Sequence, residues 1–473
     1  MEPLSRRIPP LVVIGAVCLP IVIVLFPGES PMLLFAALLC LFGLMAAAVY
    51  RPAAFLVVPV FASQFKSLPA LRSIESRVDL TLLGLCVAAF VIVLHSIFGT
   101  QRVQLVPGRF TGSSKQITAF CFFALVVAAS YLYTPAPQYG GEKLVRFLLI
   151  GSFFLLAPLY LINSEEDFRH FSLAFVIFAV IQAFVLFARA GRVSAMEDTD
   201  VTRIGAGWLI GMAILLLLFF PVMETSFWRK ALTILALPVL VAGLVTSASR
   251  GALFSTLIAG GYLFFKVYKG RSKAVVGVIA ILVLLCAGTA FYFLRDMDSG
   301  KYSEKADELV QMAEGQGSSG TAAERLDFYH AAFREVAQRP LLGLGVGGWS
   351  VYYFGKDERA YPHDLLLEIT TEEGLAGLFA FSLFLIAIFR ASRDLSDLTG
   401  PYFAVLSGLL LFTLIATAFS GDLDDDRILW LWSGMTLAVL HFARLQFAEL
   451  VYRQRQTVWA SQHQHIDTAE LVR

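Results

Sequence analysis

The sequence predicts an all-α, polytopic membrane protein with about 12–14 transmembrane helices and one long extracytoplasmic loop that contains short helices. Apolar residues make up 58% of the chain, charged residues make up 15%, and the mean hydropathy is +0.72. Soluble domains are roughly 45–50% apolar and about 25% charged. Apolar runs long enough to cross a bilayer recur along the chain, and they lack the residue alternation of a membrane β-barrel.

Fourteen apolar runs are candidates for membrane spans, and the run at 53–65 is the shortest. The candidates are 10–26, 31–49, 53–65, 79–98, 116–134, 143–162, 170–188, 206–223, 230–248, 251–268, 273–294, 364–389, 400–420 and 428–446. The predicted organisation is spans over 1–294, a loop over 295–362, spans over 363–446 and a cytoplasmic tail over 447–473.

The lysines and arginines of the short loops predict the orientation, because cytoplasmic loops carry an excess of both. The excess falls on the cytoplasmic side when the N-terminus is cytoplasmic, although Lys66, Arg72 and Arg77 then lie outside. The loop over 295–362 is then extracytoplasmic. The net charge of +1 and the lack of a basic tract give no indication of a nucleic-acid partner.

The long loop is predicted to contain two helices. The first runs from Glu304 to Glu314. The second begins at a capping box that pairs Thr321 with Glu324, and it ends before Pro340. An apolar stripe at helical spacing predicts its buried face, and the stripe contains Leu326, Tyr329, His330 and Phe333.

Four side chains are predicted to meet on the extracytoplasmic face: Arg203, Arg250, Arg325 and His363. An arginine at the membrane edge binds a phosphate, reaches to the interface, or pairs with another helix. A histidine there is a structural residue or a general base that takes a proton from a sugar hydroxyl near neutral pH. Asp364 and Glu368 follow closely along the helix and are candidates to orient the histidine ring or to keep it basic.

An acidic run of Asp422, Asp424, Asp425 and Asp426 lies on the same predicted face. Such a run can bind a divalent cation, but a solvated loop is the favoured interpretation. No metal site and no cofactor are predicted.

Several of these motifs together resemble the O-antigen ligase and polysaccharide polymerase superfamily. They are Ser249-Arg250-Gly251-Ala252, the glycine-rich segment from Pro340 to Gly347, the segment PHDLLLEITTEEGLAG that begins just before His363, and TPAPQYGGEKLVRF, which contains Tyr139, Lys143 and Arg146.

The resemblance implies an inverting, metal-independent glycosyltransferase of the GT-C type in the bacterial inner membrane, with a periplasmic active site. The donor would be a glycan on undecaprenyl pyrophosphate. The acceptor would be lipid A core in lipopolysaccharide synthesis, or another lipid-linked unit in O-antigen or exopolysaccharide polymerisation. The implied catalytic residues are His363, Arg250 and Arg203, and the implied substrate-binding residues are Arg325, Lys143, Tyr139, Arg146, Gly345 and Gly347.

A lipid-linked glycan transporter or flippase is the alternative from another class, and a non-catalytic assembly scaffold is a third. Transporters usually contain repeated halves and ionisable residues near mid-membrane. Here the main candidates for charges within a span are Glu372 and Glu373.

Overall fold

The computed structural model describes residues 52–67, 79–98, 112–190, 200–223, 227–268 and 321–470. Every regular element in these ranges is helical, which confirms the all-α class. The predicted spans at 10–26, 31–49 and 273–294 lie outside the described residues, as does the predicted helix from Glu304 to Glu314.

The helices are numbered in chain order: α1 Pro52–Phe55, α2 Val57–Phe61, α3 Leu80–Phe98, α4 Ser114–Ser130, α5 Pro137–Leu161, α6 Glu165–Ala190, α7 Asp200–Met223, α8 Phe227–Thr246, α9 Arg250–Tyr268, α10 Thr321–Gln338, α11 Gly348–Phe354, α12 Leu365–Glu372, α13 Gly374–Leu398, α14 Gly400–Ser420 and α15 Arg427–Glu470. Short 3-10 helices follow α2 at Ala62–Ser67 and α4 at Tyr131–Tyr133. Within the described ranges, α4, α5, α6, α13, α14 and α15 are long and apolar enough to cross a membrane. Four shorter apolar helices accompany them, and the chain is a polytopic membrane protein.

The bundle is organised around the first half of α15, which packs closely against α5 and α13. Trp430 is fully buried among rings from α4, α5 and α13, at centroid distances of 5.2 Å to Phe120, 5.6 Å to Phe147 and 5.3 Å to Phe384. At Gly434 a side chain could not fit, because an added Cβ would lie 2.8 Å from the carbonyl oxygen of Phe154. Small residues allow such close approach between membrane helices.

The span predicted at 364–389 is two helices, and the prediction of one continuous helix is wrong. The chain breaks between α12 and α13, where Gly374 adopts a φ of +67°. The carbonyl oxygens of Pro340 and Leu341 accept the first amides of α13, from Leu375 at 2.8 Å and Ala376 at 3.2 Å. The turn at Pro340 and Leu341 therefore supplies the acceptors that the last residues of α12 would supply in a continuous helix.

The buried face of α10 also differs from the prediction. Phe328 and Ala332 are buried, with the Phe328 ring 6.0 Å from the buried Trp349 of α11. Leu326 and Phe333 of the predicted stripe are 49% and 65% exposed. The cause is the docking of α10 onto α11 and α12, which uses the neighbouring face of the helix.

Candidate active site

The site begins at the tight turn between α8 and α9. Ser249 caps α9, because its Oγ accepts a hydrogen bond from the amide of Ala252 at 3.3 Å. Arg250 is the first residue of α9, and it is exposed. The N-terminus of a helix favours anions, since its first amides point outward and the helix dipole is positive there. An arginine in this position adds a full positive charge to an anion-binding end.

Arg203 lies at the same end of the neighbouring helix α7, where it is half-buried. One turn further along, α7 meets the α8–α9 turn at Gly207, where an added Cβ would lie 2.7 Å from the Oγ of Ser247. The close contact holds the N-terminal turns of α7 and α9 together, so Arg203 and Arg250 stand at one end of the bundle.

Phe419, near the C-terminus of α14, connects this turn to α10. An added Cβ on Gly251 would lie 2.8 Å from the Cβ of Phe419. Arg325 of α10 donates from Nη1 to the carbonyl oxygen of Phe419 at 2.8 Å. A cation is stabilised at the C-terminal carbonyls of a helix. Arg325 and Gly251, the residue after Arg250, therefore contact the same residue.

His363 lies between α11 and α12 with a φ of +60°, a left-handed conformation uncommon for a residue other than glycine. Its ring is 4.5 Å from the Tyr361 ring and is stacked 6.1 Å from the Phe328 ring of α10. Its Nδ1 is buried and has no hydrogen-bond partner in the described part of the chain. Asp364 does not orient this ring, contrary to the prediction, because its carboxylate caps α12 by accepting from the amide of Leu367 at 2.9 Å.

The surroundings keep the His363 imidazole neutral. Burial and, to a smaller extent, the positive charge of Arg325 lower the pKa of His363, the charge of Asp422 raises it, and together they bring it to about 4. The imidazole is therefore unprotonated at neutral pH and can accept a proton.

A buried ion network lies behind the His363 segment. Lys143 of α5 is fully buried, and its Nζ contacts the carboxylates of Glu368 and, at 2.6 Å, Glu372. Glu368 also accepts from the amide of Leu423 at 3.1 Å, and Glu372 accepts from the amide of Gly347 at 2.9 Å. One lysine thus holds together α5, α12, the glycine-rich loop and the segment between α14 and α15. Glu368 pairs with this lysine and does not orient the histidine.

The acidic run after α14 belongs to a second group of ion pairs, and the prediction of a solvated loop is wrong. Asp422 is buried and pairs with Arg359 at 2.8 Å, and the buried Asp424 pairs with the Nε of Arg146 at 3.0 Å. Arg146 also pairs with Asp79. Burial opposes ionisation of Asp422, yet hydrogen bonding with Asp424 and the Arg359 guanidinium hold its pKa below its usual range.

The glycine-rich loop approaches protein backbone at close range. Gly345 has a φ of +90°, and an added Cβ would lie 2.7 Å from the Cα of Thr134. Gly347 has a φ of +74°, and an added Cβ would lie 2.8 Å from the Cα of Gly140. The amide of Gly345 donates to the carbonyl oxygen of Glu372 at 2.7 Å. The loop is therefore a tight internal junction with the start of α5.

The nine predicted site residues fall into two groups. Arg203, Arg250, Arg325 and His363 stand around Phe419 and the neighbouring turn. Lys143, Arg146, Tyr139, Gly345 and Gly347 lie in the buried junction behind it, where the backbone amide of Tyr139 donates to Asp357 at 2.8 Å. The sequence did not predict that Glu368 and Glu372 are the ion-pair partners of Lys143, although their four-residue spacing places them on one helix face.

The described residues contain no group of three or more His, Cys, Asp or Glu side chains arranged to hold a metal ion. Arg203, Arg250 and Arg325 supply guanidinium charges at the site.

Comparison with known proteins finds a similarity that covers part of this region. Residues 234–382 match the family model described as O-Antigen ligase, a stretch that includes Arg250, Arg325 and His363. A Rickettsia conorii protein named "Putative polysaccharide ligase" is 25% identical over 132 residues, which cover 25% of this chain and 31% of that protein. The match thus spans about a third of the length of this relative. The predicted resemblance is confirmed over residues 234–382, which are similar to the O-antigen ligase family model.

Proposed function

We propose that this protein is a membrane glycosyltransferase that moves a glycan from undecaprenyl pyrophosphate to a saccharide hydroxyl, as a ligase to lipid A core or as a repeat-unit polymerase. The observation that carries the proposal is the grouping of Arg203, Arg250, Arg325 and His363 at one end of the bundle. The O-antigen ligase match over 234–382 supports the reaction class.

The arginines hold the diphosphate of the donor. Arg250 and Arg203 bind its oxygens, and Arg325 faces it from α10. A guanidinium binds phosphate oxygens bidentately and keeps its charge at all relevant pH values. As the sugar–oxygen bond breaks, negative charge grows on the departing diphosphate, and preorganised cations stabilise that charge. The same charges make a metal ion unnecessary in this scheme.

His363 acts as the general base. Its neutral imidazole takes the proton of the acceptor hydroxyl while the oxygen attacks the anomeric carbon from the face opposite the diphosphate. One carbon–oxygen bond forms as the bond to the diphosphate breaks, and the configuration inverts. A bound diphosphate also raises the pKa of a nearby imidazole, because an opposite charge favours the protonated form. Donor binding therefore strengthens the base when it is needed.

The second group of predicted residues supports this site from behind. Lys143 and Arg146 form ion pairs with buried carboxylates. The amides of Gly345 and Gly347 donate hydrogen bonds to Glu372 of α12. We assign these four residues, together with Tyr139, to the positioning of the His363 segment.

In this proposal the protein lies in the inner membrane and the site faces the periplasm.

The test is glycan transfer by the purified protein in vesicles with a lipid-linked donor. His363→Ala and Arg250→Ala are expected to abolish transfer while the protein still inserts and purifies normally. Arg453→Ala is the control, since its side chain is 73% exposed on α15, far along that helix from the site. Wild-type transfer by both site variants would exclude the mechanism.

The glycan profile of a deletion strain separates the two activities. Loss of all O-antigen-capped lipid A, with the lipid-linked polymer still present, indicates a ligase. Loss of long chains with single repeat units still attached to lipid A indicates a polymerase.

One observation favours the transporter alternative: Lys143 and Arg146 are charged residues inside the candidate span α5. Ionisable residues in spans often mark transport pathways. Both are within the first ten positions of α5 and are neutralised by carboxylates, which favours a structural role. Movement of intact lipid-linked glycan across vesicles without formation of a glycosidic bond would establish transport.

A further inference from the structure

The turn that follows α10, at the start of the glycine-rich segment, has two adjacent leucines with exposed side chains. Leu341 is 69% exposed and Leu342 is 59% exposed. Large apolar side chains are seldom left in water as a contiguous pair, and an exposed apolar patch usually marks an interaction surface. The turn lies outside the site around Phe419, so neither leucine has a role in the proposed chemistry.

The turn is held firmly against the ends of two membrane helices. The carbonyl oxygens of Pro340 and Leu341 accept the first amides of α13, as described above. The carbonyl oxygen of Leu342 accepts a hydrogen bond from the hydroxyl of Tyr133, at the end of the span formed by α4, at a distance of 2.7 Å. The two leucines are therefore displayed at a fixed height, level with the ends of α4 and α13.

Their apolar surface continues the outward-facing rows of these same helices. On α13 the exposed apolar row begins at Leu375, directly beside the turn, and passes through Phe379 and Ile386. These positions recur at helical spacing on a face that packs against no described helix. In a membrane protein such a row faces lipid, because lipid chains are as apolar as the side chains.

Aromatic and basic residues mark the same level of the bundle. Tyr131 and Tyr133 are partly exposed beside the turn, and Arg339 precedes it with a side chain that is 59% exposed. Tyrosines gather where a bilayer meets water, and arginines there extend their charged ends toward the headgroups.

We propose that Leu341 and Leu342 insert into the bilayer interface at this end of the bundle, so that the turn anchors α10 to the membrane surface. Continuity with the lipid-facing row of α13 favours lipid chains over a second copy of the protein. The proposal depends on the membrane fold and is independent of the reaction, so it can fail while the proposed function stands, and the reverse also holds.

A benzophenone amino acid incorporated at position 341 or 342 tests this in the full chain. The protein is reconstituted in phosphatidylcholine vesicles whose acyl chains carry an alkyne tag, irradiated, and analysed for lipid adducts. Phe379 is the positive control in the α13 row, and Lys356, 70% exposed in the loop after α11, is the negative control. We expect adduct yields at 341 and 342 close to those at 379 and well above those at 356.

Yields at 341 and 342 no higher than at 356 would overturn the proposal. So would a predominant cross-link between two protein chains, which would identify a second copy as the occupant of this surface.

Discussion

Removal of the positive charge of Lys143 is expected to destabilise the protein strongly. Its Nζ is fully buried between the carboxylates of Glu368 and Glu372, which are themselves fully buried. Lys143→Met keeps most of the side-chain volume and leaves two carboxylates without their cation. Removal of one partner from a buried ion pair costs about 3–5 kcal/mol. We therefore expect the free energy of unfolding to fall by about 3–5 kcal/mol.

The matched control is an exposed pair in the same protein. Arg453 pairs with Glu449 one turn earlier on α15, and both side chains are largely exposed. Exposed pairs of this spacing contribute about 0.3–0.5 kcal/mol, so Arg453→Met is expected to change stability by no more than that. The measurement is equilibrium unfolding of detergent-solubilised protein in mixed micelles with increasing denaturing detergent.

The triple variant Lys143→Met/Glu368→Gln/Glu372→Gln separates lost charge pairing from lost packing. Its glutamines retain an acceptor oxygen for the amides of Leu423 and Gly347, and neither of the two carboxylates that contact Lys143 remains. We expect it to recover most of the stability lost by Lys143→Met. A loss of less than about 1 kcal/mol in Lys143→Met would refute the role of this lysine as the central cation of the junction.

Other predictions concern pH and the glycine-rich loop. The pKa of His363 is about 4 in the folded protein and near 6.5 in the unfolded chain, so the unfolded chain takes up a proton first as the pH falls. The stability linked to His363 is therefore fully present above pH 6.5 and is lost as the pH falls toward 4. For the same reason the acid limb of the kcat/KM profile should lie below pH 6.5. Arg325→Gln removes a positive charge that lowers the pKa of His363, so it should move this limb to higher pH. An acid limb that does not move would mean that the charge of Arg325 does not affect the imidazole. Gly345→Ala should impair folding far more than Gly355→Ala, as measured by thermal unfolding, because an added Cβ meets the Thr134 backbone at the first position and has nothing within 4 Å at the second. Since both glycines have positive φ, equal losses would mean that backbone strain alone, about 1–2 kcal/mol, accounts for the effect.

Much of the fold was readable in the sequence because membrane helices leave long apolar runs. The bounds of α9 and α14 agree with the predicted runs at 251–268 and 400–420 to within one residue. The break before α13 could not be read in this way, because both helices lie in one apolar run and only the backbone geometry at Gly374 divides them.

The face of α10 and the partners of Lys143 depend on tertiary contacts. The helix carries two overlapping apolar faces, and docking against Trp349 decides that Phe328 rather than Phe333 is buried. Lys143 meets Glu368 across 225 positions of the chain, a separation that no local pattern encodes. Arg250 and His363 could be singled out because a charged residue and a titratable one at the edges of apolar runs need a local explanation.

The length of α15 has a practical consequence for experiments. A helix of 44 residues extends about 66 Å at 1.5 Å per residue, roughly twice the thickness of the hydrocarbon core. The candidate span within it is Arg427–Gln456, so its last residues, up to Glu470, extend about 21 Å beyond that span along the helix axis. A fluorophore or affinity tag fused at this end of α15 would be accessible to antibodies or beads. It could immobilise the protein for single-molecule assays without contact with the opposite end of the helix, which begins beside Asp426.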